Sequence, residues 1–233
     1  MRILSIDTTT MLGSVALSDG ARFVAQEQQG VPGTHSERLL ASIDHLLSLA
    51  GWGRDSIEGI AVAIGPGSFT GLRIGIATAK GMAMAGGLEV AGVSSLDSLA
   101  MNGASFAGTV VPLIDARRGE IYAAALRFER GGRPRRVIKE CVLPPEALIK
   151  RLKSIKGPIL LVGDGAIVYE AQLKKSLGAR AAIACGAQCF PQAVNLAIIA
   201  GPRLIKGKGD DIAALVPNYI RHSDAEIGFL GGR

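Results

Sequence analysis

The chain has 233 residues with 26 Lys and Arg against 20 Asp and Glu, a net charge of +6, and is 48% hydrophobic but only 4% aromatic. That length allows one large core or two small ones, built from Ala, Val, Ile and Leu, as in an α/β protein with covered sheets. No apolar run is long enough for a bilayer helix, Asp7 breaks the N-terminus before a secretory signal forms, and Cys141, Cys185, Cys189 and three histidines show neither a disulfide framework nor metal-ligand spacing. The expectation is a cytoplasmic protein with no metal and no membrane contact.

The pattern predicts a buried strand over 2–7 ending in Asp7, with antiparallel partners at 13–19 and 22–28. Gly13 and Asp19-Gly20 supply the turns. Thr34 and Glu37 read as a capping box for a helix over 35–50, whose Leu39, Leu40, Ile43, Leu46, Leu47 and Ala50 repeat along one face. Gly51 stops it. A strand at 59–64 then enters the run Gly65-Pro66-Gly67-Ser68-Phe69-Thr70-Gly71-Leu72-Arg73-Ile74-Gly75. A helix over 70–85, a strand at 88–93 and a short helix near 95–102 complete the first half.

After Gly103 the order partly repeats. A strand at 110–115 ends in Asp115, a strand at 120–128 and a basic arm to about 140 follow, then a helix at 145–153 and a strand at 158–162. The turn Gly163-Asp164-Gly165 leads to a helix at 166–177, and a last helix over 191–201 opens at Pro191 and should end or kink at Pro202. Both halves begin strand, Asp, turn, strand. That echo predicts an α/β fold of two related lobes, the actin-like (ASKHA, ribonuclease H-like) architecture with a reduced second lobe. The first lobe would span 1–103 and be joined by the helix near 191–206. The smaller second lobe would span 104–190, leaving 207–233 as a C-terminal segment.

The glycine run is the most informative stretch. Glycines let backbone N–H groups turn toward a guest, and a helix N-terminus adds about half a positive charge. Gly65, Gly67, Ser68 and Gly71 are therefore candidate anion or nucleotide ligands, with Asp7, Thr8 and Gly13 of the first hairpin. The run is neither a Walker A loop nor a dinucleotide fingerprint. Facing it, Asp115-Ala116-Arg117-Arg118-Gly119 has two long cations where close phosphate approach needs small residues. Asp164 places a carboxylate where it would repel phosphate. Nucleotide binding across the lobes reads as degraded, with ATP binding left open and ATP hydrolysis not expected. Arg73 and Lys80 suit anion contact no better than pairing on the helix surface.

Charge is uneven: −3 over the first 110 residues and +9 over the remainder. Arg127, Arg130, Arg133, Arg135, Arg136 and Lys139 form a cluster, followed by Lys150, Arg151, Lys153 and Lys156. Such a surface suits RNA, an acidic protein, or simply a solvated hairpin. No aromatic residues interleave as a base-stacking platform requires.

GPGSFTGLRIG at 65–75 resembles the signature loop of the TsaB (YeaZ) family, which acts in making threonylcarbamoyladenosine in tRNA. ILSIDTTT at 3–10, HSERLL at 35–40, IDARRGEIYAA at 114–124, LVGDG at 161–165 and PNYIR at 217–221 match the family's other landmarks in order. The resemblance implies a non-catalytic subunit that pairs with a TsaD-type transferase and supports its action on the adenosine beside the anticodon. It implies a TsaE-type ATPase as accessory partner, a homodimer when the transferase is absent, and tRNA contact through the complex. It also implies that the helices at 35–50 and 70–85 form the partner interface, carried by His35, Leu39, Ile43, Leu46, Gly71, Gly75, Ala79 and Ala83. No tightly bound cofactor is implied, with ATP or ADP and Mg²⁺ at the partner interface as the remaining option. TsaD carries a paired-histidine metal motif after the strand that follows the glycine-loop helix. Here that stretch reads Val93-Ser94-Ser95-Leu96-Asp97-Ser98-Leu99, so no catalytic residue is assigned. The rival readings are an autonomous actin-like ATPase or phosphotransferase, resting on Asp7, Thr8, Gly13 and Asp115, and a free RNA-binding module.

Overall fold

The computed structural model describes residues 1–30, 35–129 and 134–220, with backbone alone at 35–37. β1 (Arg2–Asp7), β2 (Gly13–Asp19) and β3 (Arg22–Gln29) form an antiparallel meander, because Gly20, at φ 58°, closes a two-residue turn between β2 and β3. α1 (His35–Ala50), β4 (Gly59–Gly65), α2 (Phe69–Gly86) and β5 (Glu89–Ser94) follow, and the helical crossovers make β4 and β5 parallel to β1. The sheet order is β3-β2-β1-β4-β5. α3 (Ser95–Ala100) then leads into the second half.

There the same plan is built again. β6 (Thr109–Arg117), β7 (Glu120–Arg127) and β8 (Arg135–Leu143) are antiparallel neighbours, and α4 (Pro145–Lys153) crosses to β9 (Ile159–Val162), parallel to β6. α5 (Asp164–Val168) and α6 (Glu170–Leu177) cross to β10 (Ala181–Ile183), giving the order β10-β9-β6-β7-β8. α7 (Ala193–Leu204) returns to the first lobe. Two sheets of identical order, each with its helices, make up the two-lobed actin-like architecture. The second lobe keeps all five strands, and its reduction lies in helices of 9, 5 and 8 residues against 16 and 18 in the first.

Burial explains the assembly. Leu39, Ile43 and Leu46 of α1 and Ile76, Ala79 and Ala83 of α2 pack on Leu4, Ile6 and Ile60 of the first sheet. Each fully buried Leu or Ile contributes about 1.5–3 kcal/mol of apolar transfer. The other face of that sheet is covered by Leu196, Ala200 and Leu204 of α7 against Ile3, Ala61 and Ala91. Leu96 and Leu99 of α3 pack instead on Val110, Ile114 and Leu126 of the second lobe. The two connecting helices thus cross between lobes and tie them together.

Three expectations change. The helix expected over 166–177 is broken at Tyr169 (φ −107°, ψ 19°), a bend that lets Leu173 and Leu177 reach the second core. Pro191 does not open α7, which starts at Ala193, and Pro202 lies inside its last turn, where a missing N–H costs one bond and the helix runs on to Leu204. The short strand β10 carries no sequence signal beyond three small or apolar residues. Thr34 of the expected capping box lies outside the described residues.

Candidate functional site

Four turns meet where the lobes face each other: those after β1, β4 and β9, and the β6–β7 turn. They enclose a cavity of about 230 Å³ lined by Thr9, Thr10, Gly67, Ser68, Phe69, Asp115, Arg117, Arg118, Tyr122 and Asp164 among others. Of the seven residues expected as nucleotide ligands, Gly67 and Ser68 line it, whereas Asp7, Thr8, Gly13, Gly65 and Gly71 do not. Thr8 and Gly13 line a water-sized space of about 30 Å³ beside Leu39 and Ser42 of α1. Asp7 is fully buried, and its Oδ1 accepts from Thr9 N at 3.0 Å and Thr9 Oγ1 at 2.6 Å. Its carboxylate organises the first turn.

The glycine run has a packing explanation in the same place. Ser68 N donates to Thr9 O at 2.7 Å, and Thr8 Oγ1 donates to Gly71 O at 2.7 Å. Ser68 Oγ caps α2 by accepting from Gly71 N at 3.2 Å. A Cβ at Gly67 would overlap Thr9 O, one at Gly71 would overlap Thr8 O, and one at Gly75 would overlap Thr8 Oγ1. The glycines let the first hairpin turn lie directly on α2. The loop's N–H groups at Ser68 and Gly71 are spent on this chain rather than on a guest.

The facing wall belongs to the second lobe. Asp164 Oδ1 accepts from Asp115 N at 3.1 Å, and Asp115 Oδ1 accepts from Arg117 N at 2.9 Å with Arg117 Nη1 3.3 Å from Oδ2. Arg117 (φ 62°) and Arg118 (φ 53°) are left-handed, a conformation uncommon outside glycine, and both side chains line the cavity. A nucleotide triphosphate does not fit this wall. Two carboxylates face it, the backbone donors of Thr9, Ser68, Asp115 and Arg117 are engaged within the chain, and the volume falls below the roughly 300–1,000 Å³ of small-molecule sites.

Burial pushes the Asp164 carboxyl above the ordinary carboxylate range; N–H groups of Asp115 and Gly165 pull it down, and the Asp115 charge adds to the rise. A folded pKa above the unfolded one means that Asp164 stabilises the fold below its unfolded pKa, and that this is lost as pH rises through the folded value. Asp164→Asn keeps an acceptor for Asp115 N and removes the loss. Its urea midpoint is expected to exceed that of the wild type near pH 7, with the gap closing as pH falls toward 4; a gap independent of pH would contradict the assignment.

The stretch 93–99, read in the sequence as lacking a histidine pair, ties α3 to β8. Ser94 Oγ caps α3 from Asp97 N at 3.3 Å and donates to Glu140 of β8. Arg136 Nη2 lies 2.6 and 2.7 Å from the two Asp97 oxygens, and Nη1 is 3.2 Å from Glu140. Burial raises the Asp97 pKa although Arg136 lowers it and Glu140 raises it further. These residues link the lobes. Among the described residues, no group of three or more His, Cys, Asp or Glu side chains comes together as metal ligands would.

Asn218 and Tyr219 have a role that local patterning hides. Asn218 N donates to Ile64 O at 2.7 Å, Tyr219 stacks on Phe69 at 4.8 Å, and Arg73 Nε donates to Tyr219 Oη at 3.2 Å. Lys80 Nζ reaches Ala213 O at 3.4 Å. Arg73 and Lys80 therefore hold the C-terminal segment against α2. The segment lies over the glycine loop, where a Cβ at Gly65 would press on Asn218 O at 3.0 Å. Arg221, Arg130, Arg133 and residues 222–233 lie outside the described residues.

The expected interface residues on α1 and α2, His35 aside, face inward. Leu39, Ile43 and Leu46 are 5%, 2% and 2% exposed, and Gly71, Gly75, Ala79 and Ala83 are buried in α2. Side chains already covered by their own sheet offer a partner no surface, and the His35 side chain lies outside the described residues. The outward apolar side chains of the same helices are Leu40, Leu49 and Met84, at 57%, 67% and 72% exposure. Leu40 does not share the buried face that the apolar pattern assigns it; one residue beyond Leu39, it is rotated about 100° off that stripe.

A family model described as TsaD: tRNA N6-adenosine threonylcarbamoyltransferase matches residues 27–229. The chain is 31% identical to the tRNA threonylcarbamoyladenosine biosynthesis protein TsaB of Bacillus subtilis, covering 99% of this chain and 98% of the relative. It is 35% identical to the TsaB protein of Escherichia coli, covering 97% and 96%. The chain belongs to the TsaB (YeaZ) family. The solved YeaZ of Pseudomonas aeruginosa superposes with a TM-score of 0.75 at 30% identity, covering 93% of this chain and all of that one. At 11% identity and a TM-score of 0.56, the activator of the 2-hydroxyisocaproyl-CoA dehydratase from Clostridium difficile shares the fold alone.

Proposed function

We propose that this chain is a non-catalytic subunit in the formation of N6-threonylcarbamoyladenosine in tRNA, pairing with a TsaD-type transferase. The observation that carries the reading is the conversion of both candidate centres to structure. Within each lobe the turns at the junction bond to one another, and the stretch 93–99 joins α3 to β8. What the chain presents instead is surface: Leu40, Leu49 and Met84 stand out from two helices whose inner faces are fixed by the core. A large exposed side chain near small neighbours such as Ala77 and Gly81 suits close helix packing.

In this reading the chain holds no nucleotide tightly. Any ATP or ADP with Mg²⁺ would be bound at the junction with the partner, a TsaE-type ATPase would act on the assembled pair, and tRNA would be engaged by the complex. The test is mixing with a TsaD-type transferase: one complex with one copy of each on size exclusion is expected, with a homodimer when the transferase is withheld. Persistent separate elution at micromolar concentration would overturn the pairing.

A further inference from the structure

Away from the lobe junction, an open groove of about 640 Å³ runs between β7, β8 and the C-terminal end of α4. Arg127, Arg135, Arg151 and Lys156 line it, and the rest of its lining is aliphatic apart from Ser154. Among the described residues, its lining has no carboxylate and no aromatic ring. Strand alternation puts Arg135 on the groove side of β8, while Arg136 takes the opposite side and is neutralised by Asp97 and Glu140. Arg127 is held in place: its Nε donates to Thr109 Oγ1 at 2.9 Å and its Nη2 to Lys156 O at 2.8 Å. Among the described residues, Arg135, Arg151 and Lys156 have no ion-pair partner.

We infer that this groove binds the phosphate backbone of RNA. Four cations without a counter-charge repel one another, and a row of phosphates relieves that repulsion while releasing condensed counterions. The open, elongated shape suits a chain of anions rather than an enclosed small ligand. Without aromatic rings, the groove cannot stack bases, so its contacts position the RNA and carry no sequence information. The inference rests on the proposed function, because tRNA is the RNA that this reading supplies. It adds that the chain itself touches the tRNA, through its second lobe. Residues 111–192, which hold the second lobe, carry 15 basic and 7 acidic side chains, a net of +8 against −3 for 1–110, and this places the long-range attraction on the same side.

The test uses the complex with the transferase and whole tRNA. The triple variant Arg135→Gln, Arg151→Gln, Lys156→Gln is compared with a control triple of equal charge change on exposed sites elsewhere, Arg22→Gln, Lys206→Gln, Lys208→Gln. The groove triple is expected to weaken tRNA binding about 10–100-fold at low salt and to flatten log K against log salt by about two to three. KM for tRNA should rise by the same factor with the rate at saturating tRNA retained. A tRNA lacking the target adenosine should lose affinity equally. Unchanged affinity in the groove triple, or an equal loss in the control triple, would overturn the inference. So would loss of binding to an acidic polypeptide with tRNA affinity intact, which would make the groove a protein-docking surface. Failure of the wild-type complex to modify tRNA would count against the proposed function, whereas the binding comparison reads the groove alone.

Discussion

Gly71→Ala is expected to lower the unfolding free energy by about 3 kcal/mol or more and to leave little folded protein in cells. The added Cβ would overlap the carbonyl oxygen of Thr8, and the obstruction is backbone at the first hairpin turn, which cannot rotate away. Relief would require lifting that turn from α2. Doing so breaks the Thr8–Gly71 and Ser68–Thr9 hydrogen bonds and exposes the buried Asp7. Gly81→Ala on the same helix is the internal control. A Cβ there would meet nothing within 4 Å, so the change should stabilise by about 0.5–1 kcal/mol through helix propensity. Urea midpoints of the two variants should move in opposite directions. If Gly71→Ala were as stable as the wild type, the loop would not be a packing device and a ligand role for its glycines would return.

The double variant Leu40→Glu, Met84→Glu is expected to remove complex formation with the transferase, about 100-fold or more in affinity, while the free chain unfolds within about 0.5 kcal/mol of the wild type. Both side chains are more than half exposed in the free chain, so a carboxylate there is solvated at no folding cost. Buried against a partner helix it would be an unpaired charge. Leu39→Glu and Ile43→Glu should instead destroy the fold, because both sit in the first core. Analytical ultracentrifugation of each variant with the transferase, beside its thermal melt, separates the two outcomes. Retained pairing in the outward double variant would move the interface off these helices.

The glycine run shows both how far sequence patterning reaches and where it stops. Strand, loop and helix can be placed at 59–86 from apolar patterning and the glycine break, and the strand-Asp repeat at Asp7 and Asp115 announces two lobes of one design. Those are local signals. What the glycines accommodate is not local: Thr8 and Thr9 approach α2 from about sixty residues away. A guest phosphate and a neighbouring backbone turn ask the same thing of a loop, namely the absence of a Cβ, so the residues alone do not separate them. The same limit applies to the four-residue spacing of Gly71, Gly75, Ala79 and Ala83, which marks a close approach without saying whose. The strap at Asn218 and Tyr219 is legible as a family landmark but not as a contact, since its partners Ile64, Phe69 and Arg73 lie about 150 residues earlier.

The proposed function is that this chain supports another protein's chemistry and performs none itself. Its most direct test incubates tRNA and threonylcarbamoyl-adenylate with a TsaD-type transferase, with this chain, and with both, and scores modified adenosine by mass spectrometry. Modification is expected only when both proteins are present, and Asp7→Ala or Asp115→Ala chains that remain folded should still support it. Modification by this chain alone, or by the transferase at an equal rate without it, would contradict the account.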